Sequence, residues 1–89
     1  MHIVYVLRLV CGKRYVGMTG NFRQRMRSHF CGRGSCVTRK YPPICVERVI
    51  PCYNDGSAKK VEHEITKRYI YRYGYHNVRG GPWVNSLTF

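Results

Sequence analysis

The stretch that decides the fold lies at residues 3–17: Ile3-Val4-Tyr5-Val6-Leu7, then Cys11-Gly12-Lys13, then Arg14-Tyr15-Val16-Gly17. The first segment is β-branched and aromatic, a composition typical of a central β-strand. The middle segment contains the glycine of a tight turn, and the last segment is strand-like again. The sequence therefore predicts an N-terminal β-hairpin.

A helix and then a basic loop are predicted after the hairpin. Asn21 is a good helix N-cap. Phe22, Met26 and Phe30 recur at four-residue spacing, which predicts one buried apolar stripe on this helix. Glycines end the helix, and residues 32–43 are expected to form a basic loop that closes with two prolines.

The second half of the chain repeats the alternation of strand and helix. The predicted elements are a strand over residues 44–50 stopped by Pro51, a turn over 54–57, a helix from about 58 to 73 with Gly74 as its C-cap, and an irregular segment over 75–89 broken at Gly80-Gly81-Pro82. The order β-β-α-β-α indicates an α+β fold, a small sheet with helices packed on it. The length predicts a single domain over residues 1–89.

The charge of the chain narrows the class of partner. Sixteen Lys and Arg residues stand against four Asp and Glu residues, which gives a formal net charge of +12. Because cationic side chains displace condensed counterions from nucleic acid, this balance favours a polyanionic partner. On charge alone, the alternative is a basic structural protein such as a ribosomal one. The hydrophobic content of 44% excludes a disordered basic tail.

The cysteines and the longest apolar run indicate the compartment. Five cysteines, an odd number, argue against a disulfide framework and predict a reducing intracellular compartment, the cytoplasm or the nucleus. No apolar run approaches the roughly 20 residues of a membrane span, so no membrane partner is expected. His29, Cys31 and Cys36 are conceivable zinc ligands, but their spacing is not that of paired zinc knuckles. Otherwise these thiols are ordinary core or surface residues.

Both predicted helices carry polar residues beside their apolar faces. Arg25 and His29 share one flank of the first helix, either as a solvated pair or as a cationic pair beside a cleft that holds phosphate. In the second helix Glu62 falls within the arc of the apolar residues, whereas Glu64 falls towards solvent. A carboxylate near the core needs a partner, either an arginine or a divalent metal that also binds water and phosphate.

Taken together, these residues resemble the GIY-YIG nuclease family. Ile3-Val4-Tyr5 and Tyr15-Val16-Gly17 are similar to its two strand motifs, with Ile3 in place of a glycine and Val16 in place of an isoleucine. The further matches, in order, are Thr19, Arg25, His29, the helix that carries Ala58 and Glu62, and Asn77-Val78-Arg79-Gly80-Gly81. The resemblance implies a three-stranded antiparallel sheet flanked by helices, and metal-dependent hydrolysis of DNA phosphodiester bonds.

The resemblance also implies a role for each site residue. Tyr5 and Tyr15 would stand at the cleft, and Tyr5 is the one expected to activate the attacking water. Arg25 would hold the scissile phosphate, and His29 would orient or relay a proton. Glu62 would bind one Mg²⁺ or Mn²⁺ ion.

Further polar residues are expected around this site. The resemblance implies that Asn77 gives polar support there. The cations expected to contact the DNA backbone are Lys13 and Arg14 at the hairpin turn, Arg33, Arg39 and Lys40 in the loop, and Lys60 and Lys67 on the second helix. Backbone contacts fix position but read no bases, so we expect low or structure-dependent sequence specificity.

The alternative function is a non-catalytic nucleic-acid-binding module on the same scaffold. The sequence is compatible with a monomer or a dimer. A short, free-standing domain of this kind is expected to originate in a virus, a phage or a mobile element.

Overall fold

The computed structural model describes residues 1–80. In chain order the elements are β1 (His2–Leu9), β2 (Arg14–Thr19), α1 (Phe22–Phe30), α2 (Cys36–Lys40), β3 (Pro43–Cys52), α3 (Asp55–Tyr73) and β4 (Val78–Gly80), with 3-10 turns at Val10–Gly12 and Tyr75–Asn77. Gly81 and Pro82 of the predicted breaker lie outside the described residues. None of the helices in residues 1–80 has the length and apolar character to cross a bilayer.

The sheet has the strand order β3-β1-β2-β4 and is mixed. β1 is central, as predicted, and pairs antiparallel with both β2 and β3. The expectation of three antiparallel strands is wrong, because β4 adds a fourth strand parallel to β2. Three residues carry no strand periodicity that a sequence pattern can detect. The position of β4 depends on a close approach instead: a Cβ at Gly80 would lie 2.6 Å from the carbonyl oxygen of Val16.

The hairpin turn forms where the sequence predicts it. Cys11 and Gly12 both have positive φ angles, 63° and 71°, and Leu9 donates its backbone N–H to the carbonyl oxygen of Lys13 at 2.8 Å. Gly12 adopts this backbone region at little cost, whereas Cys11 is a non-glycine exception. The turn is thus confirmed, and it brings Tyr5 and Tyr15 onto adjacent strands.

The first helix is confirmed, but the predicted stripe is only partly buried. The Asn21 side chain accepts from the Gln24 backbone N–H at 3.2 Å, as an N-cap should. Phe22 and Met26 pack against the core, whereas Phe30 is 47% exposed and His29 is fully buried. α1 ends at Phe30, so its last turn offers His29 rather than the phenyl ring to the sheet.

The predicted basic loop contains a helix. Ser35 accepts the backbone N–H of Thr38 while the Thr38 hydroxyl oxygen accepts that of Ser35, which makes a reciprocal capping box for α2. The helix inserts Val37 into the core and buries Thr38. The loop prediction followed the glycines and prolines on either side of α2 and missed the cap between them.

The third strand and the long helix are confirmed with longer bounds. Pro51 does not stop β3 but pairs with Ile3 near its end. Because β3 lies at the edge of the sheet, a residue without an N–H is tolerated there. α3 begins at Asp55, three residues before the predicted start, with Asn54 as its N-cap, and Gly74 follows its last residue at a φ of 93°.

Alternate residues of the central strand face two separate cores. Val4 and Val6 pack with Ala58 and Ile65 on the α3 side of the sheet. Tyr5, Leu7 and Leu9 pack with Tyr15 and Val37 on the side covered by α1 and α2. The period-two alternation of β1 therefore places Tyr5 beneath the first helix.

Candidate active site

Two tyrosines from the hairpin meet on the α1 side of the sheet. The rings of Tyr5 and Tyr15 lie 6.5 Å apart between centroids, and Tyr5 is almost completely buried. Tyr5 lies opposite Gly17 in the register of β1 and β2. A Cβ at Gly17 would lie 2.5 Å from the Tyr5 hydroxyl oxygen, so the close fit of the phenol needs glycine at that position.

His29 joins the two tyrosines. Its Nε2 lies 2.8 Å from the Tyr5 hydroxyl, and its Nδ1 lies 3.0 Å from the Thr38 hydroxyl. The imidazole also lies edge-on to the Tyr15 ring at 5.3 Å between centroids. Burial, together with the charge of Arg25, lowers the pKa of His29 to about 4. The ring is therefore neutral at physiological pH, with one donor and one acceptor nitrogen.

Arg25 lies one helical turn before His29 and interacts with both phenols. Burial would by itself lower its pKa, but hydrogen bonding and charge interaction with Tyr5 and then Tyr15 outweigh burial and raise it. Arg25 is only half-buried, so part of the residue remains open to solvent. The arginine thus provides a permanent positive charge beside two hydroxyl groups.

The electrostatics of Tyr5 connect this cluster to α3. Burial, then the neighbouring Tyr15, raise the pKa of Tyr5 well above its ordinary value, while Arg25 opposes that rise. The charge of Glu62 raises the same pKa, so the carboxylate lies within electrostatic range of the phenol. Glu62 is half-buried, as its position in the apolar arc predicts, and Glu64 is exposed. The structure therefore groups Tyr5, Tyr15, Arg25 and His29, with Glu62 nearby.

The donor set at Glu62 fits a hard divalent cation such as Mg²⁺. Glu62 is a single carboxylate whose charge acts on the Tyr5 phenol, and Mg²⁺ favours oxygen ligands while keeping several waters. No cluster of three or more His, Cys, Asp or Glu side chains occurs within residues 1–80. A cation held here would take this one carboxylate and complete its coordination with water and phosphate oxygens. GIY-YIG nucleases generally use divalent metals.

Asn77 lies in a different set of contacts. Its side-chain oxygen accepts from the Lys13 ammonium at 3.0 Å, and its side-chain nitrogen donates to the Tyr73 carbonyl at 2.8 Å. Lys13 also donates to the His76 carbonyl at 3.2 Å. These bonds tie the hairpin turn to the end of α3.

The predicted backbone-contacting cations divide into exposed and buried residues. Arg33, Arg39, Lys40, Lys60 and Lys67 are exposed. Arg14, unlike these five, is buried. Its guanidinium pairs with Glu47 at 3.3 Å and covers the Tyr73 ring at 4.0 Å.

Sequence reasoning missed Thr38, the residue that holds the far side of His29. The signal that could have found it is the Ser35-x-x-Thr38 spacing of a capping box inside the presumed loop. The hypothesis of zinc binding needs a free nitrogen of His29, but both of its ring nitrogens have hydroxyl partners. Cys31 and Cys36 are exposed free thiols.

Comparison with known proteins agrees with this arrangement. Residues 1–74 match the family model described as the GIY-YIG catalytic domain. A UPF0213 protein of Nitratidesulfovibrio vulgaris is 35% identical over 65 residues, which cover 73% of this chain and 59% of the relative. A UPF0213 protein of Oceanobacillus iheyensis is 34% identical over 64 residues, which cover 72% of this chain and 74% of the relative. The match thus spans less than two thirds of the first relative.

No solved structure matches the chain. The assignment therefore depends on the family match over residues 1–74 and on the motif tyrosines, arginine and histidine that the fold groups together. The chain belongs to the GIY-YIG family.

Proposed function

We propose that the chain is a metal-dependent DNA endonuclease that hydrolyses phosphodiester bonds with low or structure-dependent sequence specificity. The observation that carries this proposal is the cluster of two phenols, a guanidinium and an imidazole, with Glu62 in electrostatic range. Phosphodiester hydrolysis needs a proton acceptor, a donor to the developing anion and a cation beside one phosphate. The cluster supplies a candidate for each of these roles.

The hydrogen bonds of His29 support a proton path that starts at Tyr5. The Thr38 hydroxyl donates to the Ser35 carbonyl, so its oxygen accepts from the Nδ1–H of His29. The neutral ring then presents the Nε2 lone pair to the Tyr5 O–H. In this proposal Tyr5 takes a proton from the attacking water as it passes its own proton to His29. The raised pKa of Tyr5 fits this role, because the phenol enters the step protonated.

Arg25 is proposed to bind a non-bridging oxygen of the scissile phosphate. Its planar guanidinium suits phosphate, and its half-exposed position leaves room for one. Burial and, after it, the charge of Arg25 lower the pKa of His29, and phosphate binding would neutralise the second of these causes. Substrate would therefore make the imidazole a better proton acceptor than it is in the free protein.

Glu62 is proposed to hold the divalent cation. When bound, such a cation acts as a Lewis acid that stabilises negative charge on the phosphate and the leaving oxygen. Glu62 is half-buried, and its charge acts on the Tyr5 phenol.

The test is nicking of supercoiled plasmid in Mg²⁺ or Mn²⁺ by the wild-type protein and two variants. We expect Glu62→Gln and Tyr5→Phe each to slow nicking by about 100-fold or more, because they remove the metal-binding charge and the hydroxyl of the proton path. Chelation with EDTA should stop the reaction.

Glu64→Gln is the matched control, since Glu64 is an exposed glutamate of the same helix. It should stay within about twofold of the wild type, as typical of a surface substitution. Absence of nicking with either metal, with salt-dependent DNA binding retained, would support the non-catalytic binding module instead. Nicking by Glu62→Gln at the wild-type rate would reject the assigned metal ligand.

A further inference from the structure

A second cationic surface lies between β3 and the C-terminal half of α3. We propose that this cleft binds the phosphodiester backbone of a nucleic-acid strand, separately from the Tyr5 cluster. It encloses about 230 Å³ and is lined by Arg48, Arg68, Tyr69, Arg72 and Tyr73. This inference depends on the proposed endonuclease function only because both assume a nucleic-acid ligand.

The cleft carries several positively charged side chains, which favours an anionic ligand. Arg68 and Arg72 stand four residues apart on α3, and like charges at this spacing repel each other. Arg48 reaches the same place from β3, where its charge acts on the Tyr69 phenol. Three arginine residues from two elements therefore line one concave surface.

The four acidic side chains of the sequence do not balance these arginines. Glu47 is engaged by Arg14 at 3.3 Å and by the Tyr69 hydroxyl at 2.8 Å. Asp55 pairs with Lys59 at the other end of α3. Glu62 belongs to the proposed Tyr5 site, and Glu64, four residues before Arg68 and lining an adjacent cavity with it, can offset one of the three arginine charges. The cleft thus keeps an excess of positive charge.

Aromatic rings form the floor of the cleft. The Tyr69 and Tyr73 rings lie 5.6 Å apart, and the Arg72 guanidinium lies 5.5 Å from the Tyr73 centroid. Burial, together with the bond to Glu47, raises the pKa of Tyr69 to about 12, so its hydroxyl stays protonated and fixed. Arginines beside aromatic rings are typical of surfaces that follow a nucleic-acid backbone.

The position of the cleft separates it from the proposed catalytic cluster. Arg68 and Arg72 follow Glu62 by six and ten residues, about 9 and 15 Å along the helix axis. Tyr69 and Tyr73 pack in the core on the α3 side of the sheet, opposite to the core that contains Tyr5. Because one strand of a duplex carries a phosphate for about every 3.4 Å of helix axis, a strand lying along the cleft offers more than one phosphate to the three arginines, which favours a backbone over a single small anion.

The experiment measures binding of a short labelled duplex by fluorescence anisotropy, in EDTA, over a range of KCl concentrations. The variant is Arg68→Gln with Arg72→Gln, and the matched control is Arg8→Gln with Arg23→Gln, which removes two exposed charges outside the cleft. We expect the cleft variant to lose about tenfold or more in affinity and to reduce the slope of log K against log salt by about 1.8, or 0.9 for each lost phosphate contact. The control should change both quantities far less.

Equal effects in the two double variants would overturn the proposal. The proposal would also be overturned if the NMR signals of the arginine side chains shifted to saturation on titration with inorganic phosphate or polyglutamate but did not shift on titration with the duplex. Because binding is measured without metal, the result is distinct from the nicking assay. If the cleft substitutions weaken duplex binding but the wild-type protein never nicks DNA, only the proposed function is refuted. If the wild-type protein nicks DNA but the cleft substitutions leave duplex affinity unchanged, only this inference is refuted.

Discussion

At the scale of single residues, His29 combines complete burial with two hydroxyl partners. A buried neutral imidazole must satisfy one donor and one acceptor nitrogen, and Thr38 and Tyr5 provide these partners. The same burial, with the nearby charge of Arg25, makes protonation of the folded state unfavourable. His29 therefore links the stability of the protein to pH.

Acid should destabilise the protein through His29. Its pKa is about 4 in the folded state and about 6.5 in the unfolded state, so the unfolded chain binds more protons between these values and stability rises with pH there. The contribution of His29 is complete above about pH 6.5 and is lost as the pH falls towards 4, by about 3 kcal/mol in total. Urea denaturation across this pH range measures it.

The comparison of variants isolates this effect. His29→Gln should flatten the dependence of unfolding free energy on pH between about 4 and 6.5, whatever its absolute stability. His76→Gln removes an exposed histidine and should leave the slope as it is in the wild type. An unchanged slope in His29→Gln would show that other groups dominate the acid response.

At the scale of elements, the short helix α2 owes its existence to one capping box. Five residues are too few for an isolated helix to be stable in water. Ser35 and Thr38 satisfy the first backbone donors, and Val37 anchors the helix in the core. Because the Thr38 hydroxyl is also hydrogen-bonded to His29, the cap of α2 and the orientation of the site histidine depend on the same oxygen.

Thr38→Val tests whether one hydroxyl serves both the cap of α2 and the hydrogen bond to His29. Loss of the hydroxyl leaves Nδ1 of His29 buried without a partner and opens the capping box, so the unfolding free energy should fall by about 2 kcal/mol. Thr38→Ser retains the hydroxyl and should cost less, about 1 kcal/mol for one buried methyl group. Chemical denaturation compares the two variants. Equal losses would assign the role of Thr38 to packing rather than to hydrogen bonding.

At the scale of the whole molecule, Arg14 joins three elements on the α3 side of the sheet. It extends from β2, pairs with Glu47 of β3 and covers the ring of Tyr73 on α3. The Tyr69 hydroxyl donates to the same carboxylate at 2.8 Å. A buried guanidinium of this kind is costly unless it is paired, and removal of one partner leaves the other unsatisfied.

Arg14→Met should lower the unfolding free energy by about 2 kcal/mol, because the ion pair with Glu47 and the contact of the guanidinium with the Tyr73 ring are lost. Arg8→Met is the matched control: Arg8 lies opposite Arg14 in the β1–β2 register but is exposed. The control should stay within about 0.5 kcal/mol of the wild type. Thermal or urea unfolding measures both, and a small loss in Arg14→Met would mean that the pair adds little to stability.

The sequence by itself determined the local features. The hairpin turn, the N-cap Asn21, the C-cap Gly74 and the arc that contains Glu62 follow from neighbouring residues, because turn geometry, capping and helical periodicity act over a few positions. The motif pattern also determined the family over residues 1–74.

Only the tertiary structure decided which residues the local elements bring together. Several features depend on partners distant in sequence. They are the parallel pairing of β4, the edge position that admits Pro51, and the burial of Arg14 and of His29, while Phe30 is exposed. The cleft of Arg48, Arg68 and Arg72 likewise needs β3 to lie against α3. Burial and charge balance are properties of the packed chain, since they depend on neighbours that a local pattern does not contain.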